Sequence, residues 1–158
     1  MDAQRQMLRH TVATLAYRGG KALRGAPAEF AAYRAAPGTR TPGEILAHIG
    51  DLLDWALSLA NGAQKWQNSP ALDWESGSKR FFDGLAAFDA RLAADAPLGA
   101  TAELLFQGPI ADALTHVGQI NMLRRMFGAP VKGENYSKAA ISAGTVGSQQ
   151  AAPRVEFD

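Results

Sequence analysis

Apolar residues recur every three or four positions through four stretches of the chain, and no stretch shows the strict alternation of a half-buried strand. The first predicted helix runs from about Ala3 to Leu23, with Met7, Leu8, Leu15 and Ala16 toward the core. Gly25 and Pro27 end or kink it, and Glu29 to Ala35 adds a further turn or two. The second helix has the clearest start: Thr41-Pro42-Gly43-Glu44 reads as a capping box with proline in the first helical position. Ile45, Ile49, Leu52, Ala56 and Ala60 then follow at helical spacing, and Asn61-Gly62 supplies the stop. The third helix is expected over Ser78 to Ala94, with Phe81, Phe82, Leu85, Phe88 and Leu92 on one side. Thr101 to Phe106 predicts a short helix. Gly108-Pro109 then punctuates the chain, and Pro109 opens the last helix, whose stripe is Ile110, Ala113, Leu114, Val117, Ile120, Leu123 and Phe127. Gly128 with Pro130 closes it.

Four amphipathic helices predict an all-α fold, an up-and-down four-helix bundle in which the second and last helices run parallel. An irregular helical array obeys the same packing rules. The bundle is expected over residues 1–136, with 137–158 an extended tail that packs on the bundle or is partly disordered. Trp55, Trp66 and Trp74 read as core or interface aromatics.

At 158 residues the chain fits one domain. Its net charge of +1 leaves no electrostatic footprint for nucleic acid. With no cysteine it holds neither disulfides nor thiolate ligands, which agrees with a reducing compartment. The start MDAQRQMLRH lacks the apolar core of a signal peptide, and the apolar runs fall far short of the ~20 residues a membrane span needs. A soluble, cytoplasmic protein is expected.

The three histidines change the picture most. His48 follows Glu44 by four residues, and His116 follows Asp112 by four, so each pair projects from one helix face. On a wheel at ~100° per residue both imidazoles lie at the edge of an apolar stripe, with the carboxylates further out. Measured from Pro42 and Pro109 the two histidines sit at similar depth, so in a bundle they could converge. His48, His116 and Asp112 then form a candidate site for a divalent transition metal, Zn, Ni or Fe, with open positions for water or substrate. Glu44 already has a cap to make and is the candidate for orienting His48 or acting as a general base. Read singly, each histidine is more simply a hydrogen-bonded structural residue. His10 is assigned to the surface.

Two segments also resemble a known family. Thr41-Pro-Gly-Glu-Ile-Leu-Ala-His48-Ile-Gly-Asp-Leu-Leu-Asp-Trp55 is similar to the second-helix motif of the DinB/YfiT-like metalloenzymes. Gly108-Pro-Ile-Ala-Asp112-Ala-Leu-Thr-His116-Val-Gly-Gln119 resembles their last-helix motif, a histidine one residue before a Gly-Gln pair. The resemblance implies a four-helix bundle and a metal held by one histidine of helix two and two of the last helix. Here the third position is Asp112, a departure that bears on metal affinity. The family includes thiol-dependent transferases and isomerases, so the resemblance implies a metal-dependent transferase or hydrolase of a small molecule, with a low-molecular-weight thiol as partner. The alternatives are a non-catalytic ligand-binding or interaction bundle that has lost its metal, and a homodimer whose interface is its main role.

Arg124 falls in the apolar stripe and needs a partner, either Glu134 or a substrate carboxylate. Lys132-Gly-Glu-Asn-Tyr136 is expected to fold back and bring Tyr136 toward the pocket or pack it as an anchor. Leu104-Leu-Phe-Gln-Gly-Pro109 resembles a 3C-type protease site by coincidence, since it joins two helical segments within the domain.

Overall fold

Each α-helical run begins on a side-chain cap that the sequence supplies. In the computed structural model, which describes residues 2–157, Asp2 caps α1 (Ala3–Leu23) by accepting from the Arg5 N–H. Thr41 caps α2 (Pro42–Ala60), and the capping box closes in both directions. Asp73 caps α3 (Trp74–Ala93), accepting from the Ser76 N–H at 2.9 Å. The third helix therefore starts a turn earlier than its aromatic stripe suggests, and Trp74 belongs to it. Thr101 caps α4 (Ala102–Leu105). No break follows at Gly108-Pro109: a π turn, Phe106–Ile110, carries the chain directly into α5 (Ala111–Phe127). Pro109 has no N–H and its ring crowds the preceding turn, so an ordinary α-turn would break there; the wider turn accommodates it.

The chain is mostly helical, and among the described residues four long helices form its core. Leu15, Ile49, Phe81, Phe88, Leu92 and Ile120 are almost fully buried between them. Met7, expected inside, is 64% exposed; its neighbour Leu8 takes the inward position. Each long helix packs on two others in the cyclic order α1–α3–α2–α5, which sets α1 opposite α2.

Cross-helix contacts fix the directions. Arg9 on α1 pairs with Asp89 on α3 at 2.9 Å, while Gly19 abuts Phe81, so these helices are antiparallel. Leu46 meets Gly77 and Leu53 meets Gly84, so α2 and α3 run parallel. Trp55 meets Gly108, whereas Ile45 shares a cavity with Met122 and Leu123, so α2 and α5 are antiparallel. The order is thus up-down-down-up, not the alternating up-and-down arrangement expected, and α2 and α5 are not parallel. The physical reason is the segment 61–73, which carries the chain back along the bundle between two parallel helices. It has no helix or strand of its own. Asp51 pins it, accepting from Ser69 N–H at 2.8 Å and Ser69 O–H at 2.6 Å, and Asp54 accepts from Gln67 at 3.0 Å.

The tail is more structured than expected. β1 (Gly133–Glu134) pairs antiparallel with β2 (Glu156–Phe157). Buried Glu134 accepts from the Tyr17 hydroxyl at 2.7 Å and from Lys21 Nζ at 2.8 Å, and Lys21 also reaches Glu156 at 3.3 Å. Arg124 therefore does not pair with Glu134. It donates to the carbonyls of Ala22, Arg24 and Ala129, joining the ends of α1 and α5. No helix among the described residues is long and apolar enough to cross a membrane.

Candidate metal centre

The capping box fixes the start of α2, and with it the face on which His48 emerges, roughly two turns in. His116 emerges from the middle of the continuous helical run 102–127. In the antiparallel pair these two levels coincide. The imidazole rings meet edge to face, with centroids 4.7 Å apart and planes at 89°.

Asp112 lies between them. One carboxylate oxygen stands 3.5 Å from His48 Nε2 and the other 3.4 Å from His116 Nε2. The three donor atoms all fall within 4.8 Å of one another. Donors bound tetrahedrally at about 2.1 Å stand ~3.4 Å apart; each carboxylate–imidazole spacing matches that through its own oxygen, and the wider spacing in the set would close by a small side-chain movement onto a shared ion. The imidazoles are mostly buried, at 20% and 12% side-chain exposure, while Asp112 is 47% exposed. The set is therefore open on its carboxylate side, as the wheel geometry predicts.

The protonation pattern suits ligation. His116 Nδ1 stands 2.8 Å from Gln119 Oε1, which can only accept, so this contact favours the tautomer that carries its proton on Nδ1 and turns Nε2 toward Asp112. A lone pair facing a carboxylate is repulsive unless a proton or a cation sits between them. Burial, the neighbouring His116 and Arg40 hold His48 below its ordinary value, against the opposing pull of Asp112. A neutral imidazole is the form that binds metal. His48, Asp112 and His116 thus form a group that could hold a metal ion.

Glu44 holds the Thr41 N–H at 2.7 Å and stands 3.4 Å from Arg34. The hydrogen bond from Thr41 and the charge of Arg34 outweigh slight desolvation and keep its carboxyl below the usual range. It lines the cavity beside His48 without bonding to it.

Three neighbours of the site escaped the sequence reading. Trp66, from the returning segment, is 42% exposed and stacks edge-on against His48 at 5.6 Å and against Trp55 at 5.8 Å. It is not a core residue but an exposed cover on the His48 side of the site. Gln119 entered only as part of the Gly-Gln pair, and its spacing of three from His116 was the available signal for the hydrogen bond. Arg40 lines the cavities on both sides of the imidazoles. Tyr136 packs instead on Tyr17 and over Arg18, as an anchor of the tail. His10 is exposed.

The chain matches no protein-family model, no curated protein and no solved structure.

Proposed function

We propose that this protein is a metal-dependent enzyme acting on a small molecule, of the DinB/YfiT-like kind, with His48, Asp112 and His116 as ligands of Zn, Ni or Fe(II). The observation that carries the reading is the convergence of two imidazoles from separate helices on one carboxylate. A divalent metal held there would supply Lewis acidity and lower the pKa of a bound water or thiol. Gln119 holds the His116 ring in the ligating tautomer. Trp66 shields the His48 side from bulk water, so the approach for substrate is past Asp112. Glu44, ionised at the mouth of the His48 cavity, is the candidate proton acceptor, although its cap makes it a weak base. A thiol-dependent transfer and a hydrolysis both fit this arrangement.

Metal analysis of protein purified without an affinity tag tests the proposal. About one equivalent per chain is expected, either as isolated or after titration with zinc or nickel. Absence of uptake under both conditions would sink it.

The second reading is a binding bundle without metal, in which Asp112 simply pairs with both imidazoles. It predicts that His48→Ala leaves ligand binding intact. A homodimer is the expected assembly, and exposed Met7 and Phe106, beside one apolar groove, suit such a contact. Light scattering at micromolar concentration would show twice the chain mass.

A further inference from the structure

Arg40 is held by its backbone and free at its side chain. The Thr39 carbonyl before it accepts from the Arg34 guanidinium, and the Thr41 N–H after it is held by Glu44. Among the described residues its own guanidinium has no hydrogen-bond or ion-pair partner. The carboxylates that line the same cavity are already committed: Glu44 to Thr41 and Arg34, Asp51 to Ser69 and Arg80.

This unpaired cation stands between two cavities. One, of about 510 Å³, is walled by Ile45, Met122 and Leu123 and reaches His116 and Gln119. The other, of about 550 Å³, is more polar and reaches His48 and Glu44. Both are the size of small-ligand sites. The Oε1 of Gln119 is occupied by His116, which leaves its amide N–H groups as donors on the wall of the first cavity. That cavity holds no carboxylate among its lining residues. A planar guanidinium beside an apolar wall recognises an oxyanion attached to an apolar body.

We infer that the ligand of this site is a small molecule with an oxyanion head, a carboxylate or a phosphate, on an apolar body. Arg40 takes the head, Gln119 donates a further hydrogen bond, and Ile45, Met122 and Leu123 cover the body. The inference rests on the proposed metal centre for what happens to the ligand next, but the anion site itself is complete without metal.

Metal-free protein is titrated with phenylacetate, phenyl phosphate and the neutral phenylacetamide, following backbone amide signals by NMR. At least one anion is expected to shift the signals of Arg40, Gln119 and Leu123 with saturation in the millimolar range, and the tighter of the two identifies the head group. Phenylacetamide is expected to leave them in place. Arg40→Gln should weaken the anion at least tenfold and Arg40→Lys less, with the remaining spectrum unchanged. The inference is overturned if neither anion shifts these signals, if phenylacetamide binds as well, or if Arg40→Gln binds the anion as tightly as the parent. Zinc uptake is measured separately on the same samples. Anion binding without zinc uptake would support the anion site and remove the metal centre; zinc uptake without anion binding would do the reverse.

Discussion

Gln119 accepts a hydrogen bond from His116 Nδ1 at 2.8 Å, one turn along the same helix, and this contact decides which ring nitrogen faces Asp112. Partners of this kind typically contribute ~10–100-fold to metal affinity. Gln119→Ala is therefore expected to lower zinc affinity by about that factor in a chelator competition while leaving the unfolding midpoint of metal-free protein nearly unchanged. Equal affinity in the variant would show that the ring needs no such guide.

A ligand that binds only the folded chain stabilises it by mass action, about 2.7 kcal/mol at a hundredfold excess over Kd. For a domain of this size that raises the melting temperature by roughly 5–10 °C. Calorimetry should show this rise with zinc in the parent and its loss in His48→Ala and His116→Ala, since each removes one of three donors. Asp112→Asn should keep only part of it. A full rise in both histidine variants would place the metal elsewhere.

Glu134 ties the tail to α1 through Tyr17 and Lys21. Burial pushes its carboxyl up, but the hydrogen bonds from Lys21 and Tyr17 outweigh burial and leave it below its ordinary value. A carboxyl lowered in the folded state adds stability above its unfolded pKa, near 4.5, and loses it as the pH falls below that. Lys21 is desolvated yet raised on balance by Glu134 and Glu156, and burial with the Glu134 contact pushes the Tyr17 hydroxyl up to about 12. Both contribute below about pH 10 and lose that contribution above it. Stability should therefore decline at both ends of the pH range. Glu134→Gln, which leaves the buried Lys21 ammonium with Glu156 as its one remaining carboxylate, should cost about 2 kcal/mol at pH 7 in urea unfolding and flatten the acid limb. An unchanged acid limb would exclude Glu134 as its source.

Gly19 lies where α1 crosses α3, and a Cβ there would clash with the ring of fully buried Phe81. Gly19→Ala is expected to cost about 1–3 kcal/mol. Gly118, on the exposed side of α5, has nothing within 4 Å of such a Cβ, so Gly118→Ala should stabilise by about 0.5–1 kcal/mol. Opposite shifts in the urea midpoints of the two variants check the crossing; a shift of the same sign in both would contradict it.

Much of the local structure was legible because it is written in neighbouring residues. The capping box at Thr41, the stops at Asn61 and Gly128, and the buried stripes of α2 and α5 all appear where spacing places them. The pairing of His48 with His116 was legible too, though through a wrong premise. Depth was counted from Pro109 in parallel helices; the helices are antiparallel, and His116 lies at mid-run because helix already exists before the proline. Periodicity reports which face of a helix is inward and says nothing of which helix that face meets or in which direction. For that reason the up-down-down-up order was hidden, and so was Trp66, which reaches His48 only because a segment without periodicity returns past it. Met7 and Leu8 are equally apolar neighbours, and only packing decides between them. Arg40 carries no local signal, since its significance lies in which neighbours are already paired.

The π turn over Phe106–Ile110 works as a one-residue insertion, and each added residue advances a helix by about 100°. Everything beyond it, Asp112 and His116 included, meets α2 in that shifted phase. Shortening the turn by a single residue would preserve the helix and present a different side of it to His48, parting that imidazole from Asp112 and His116 without altering any of the three. The identity of the centre thus resides as much in a local chain length as in its histidines and aspartate.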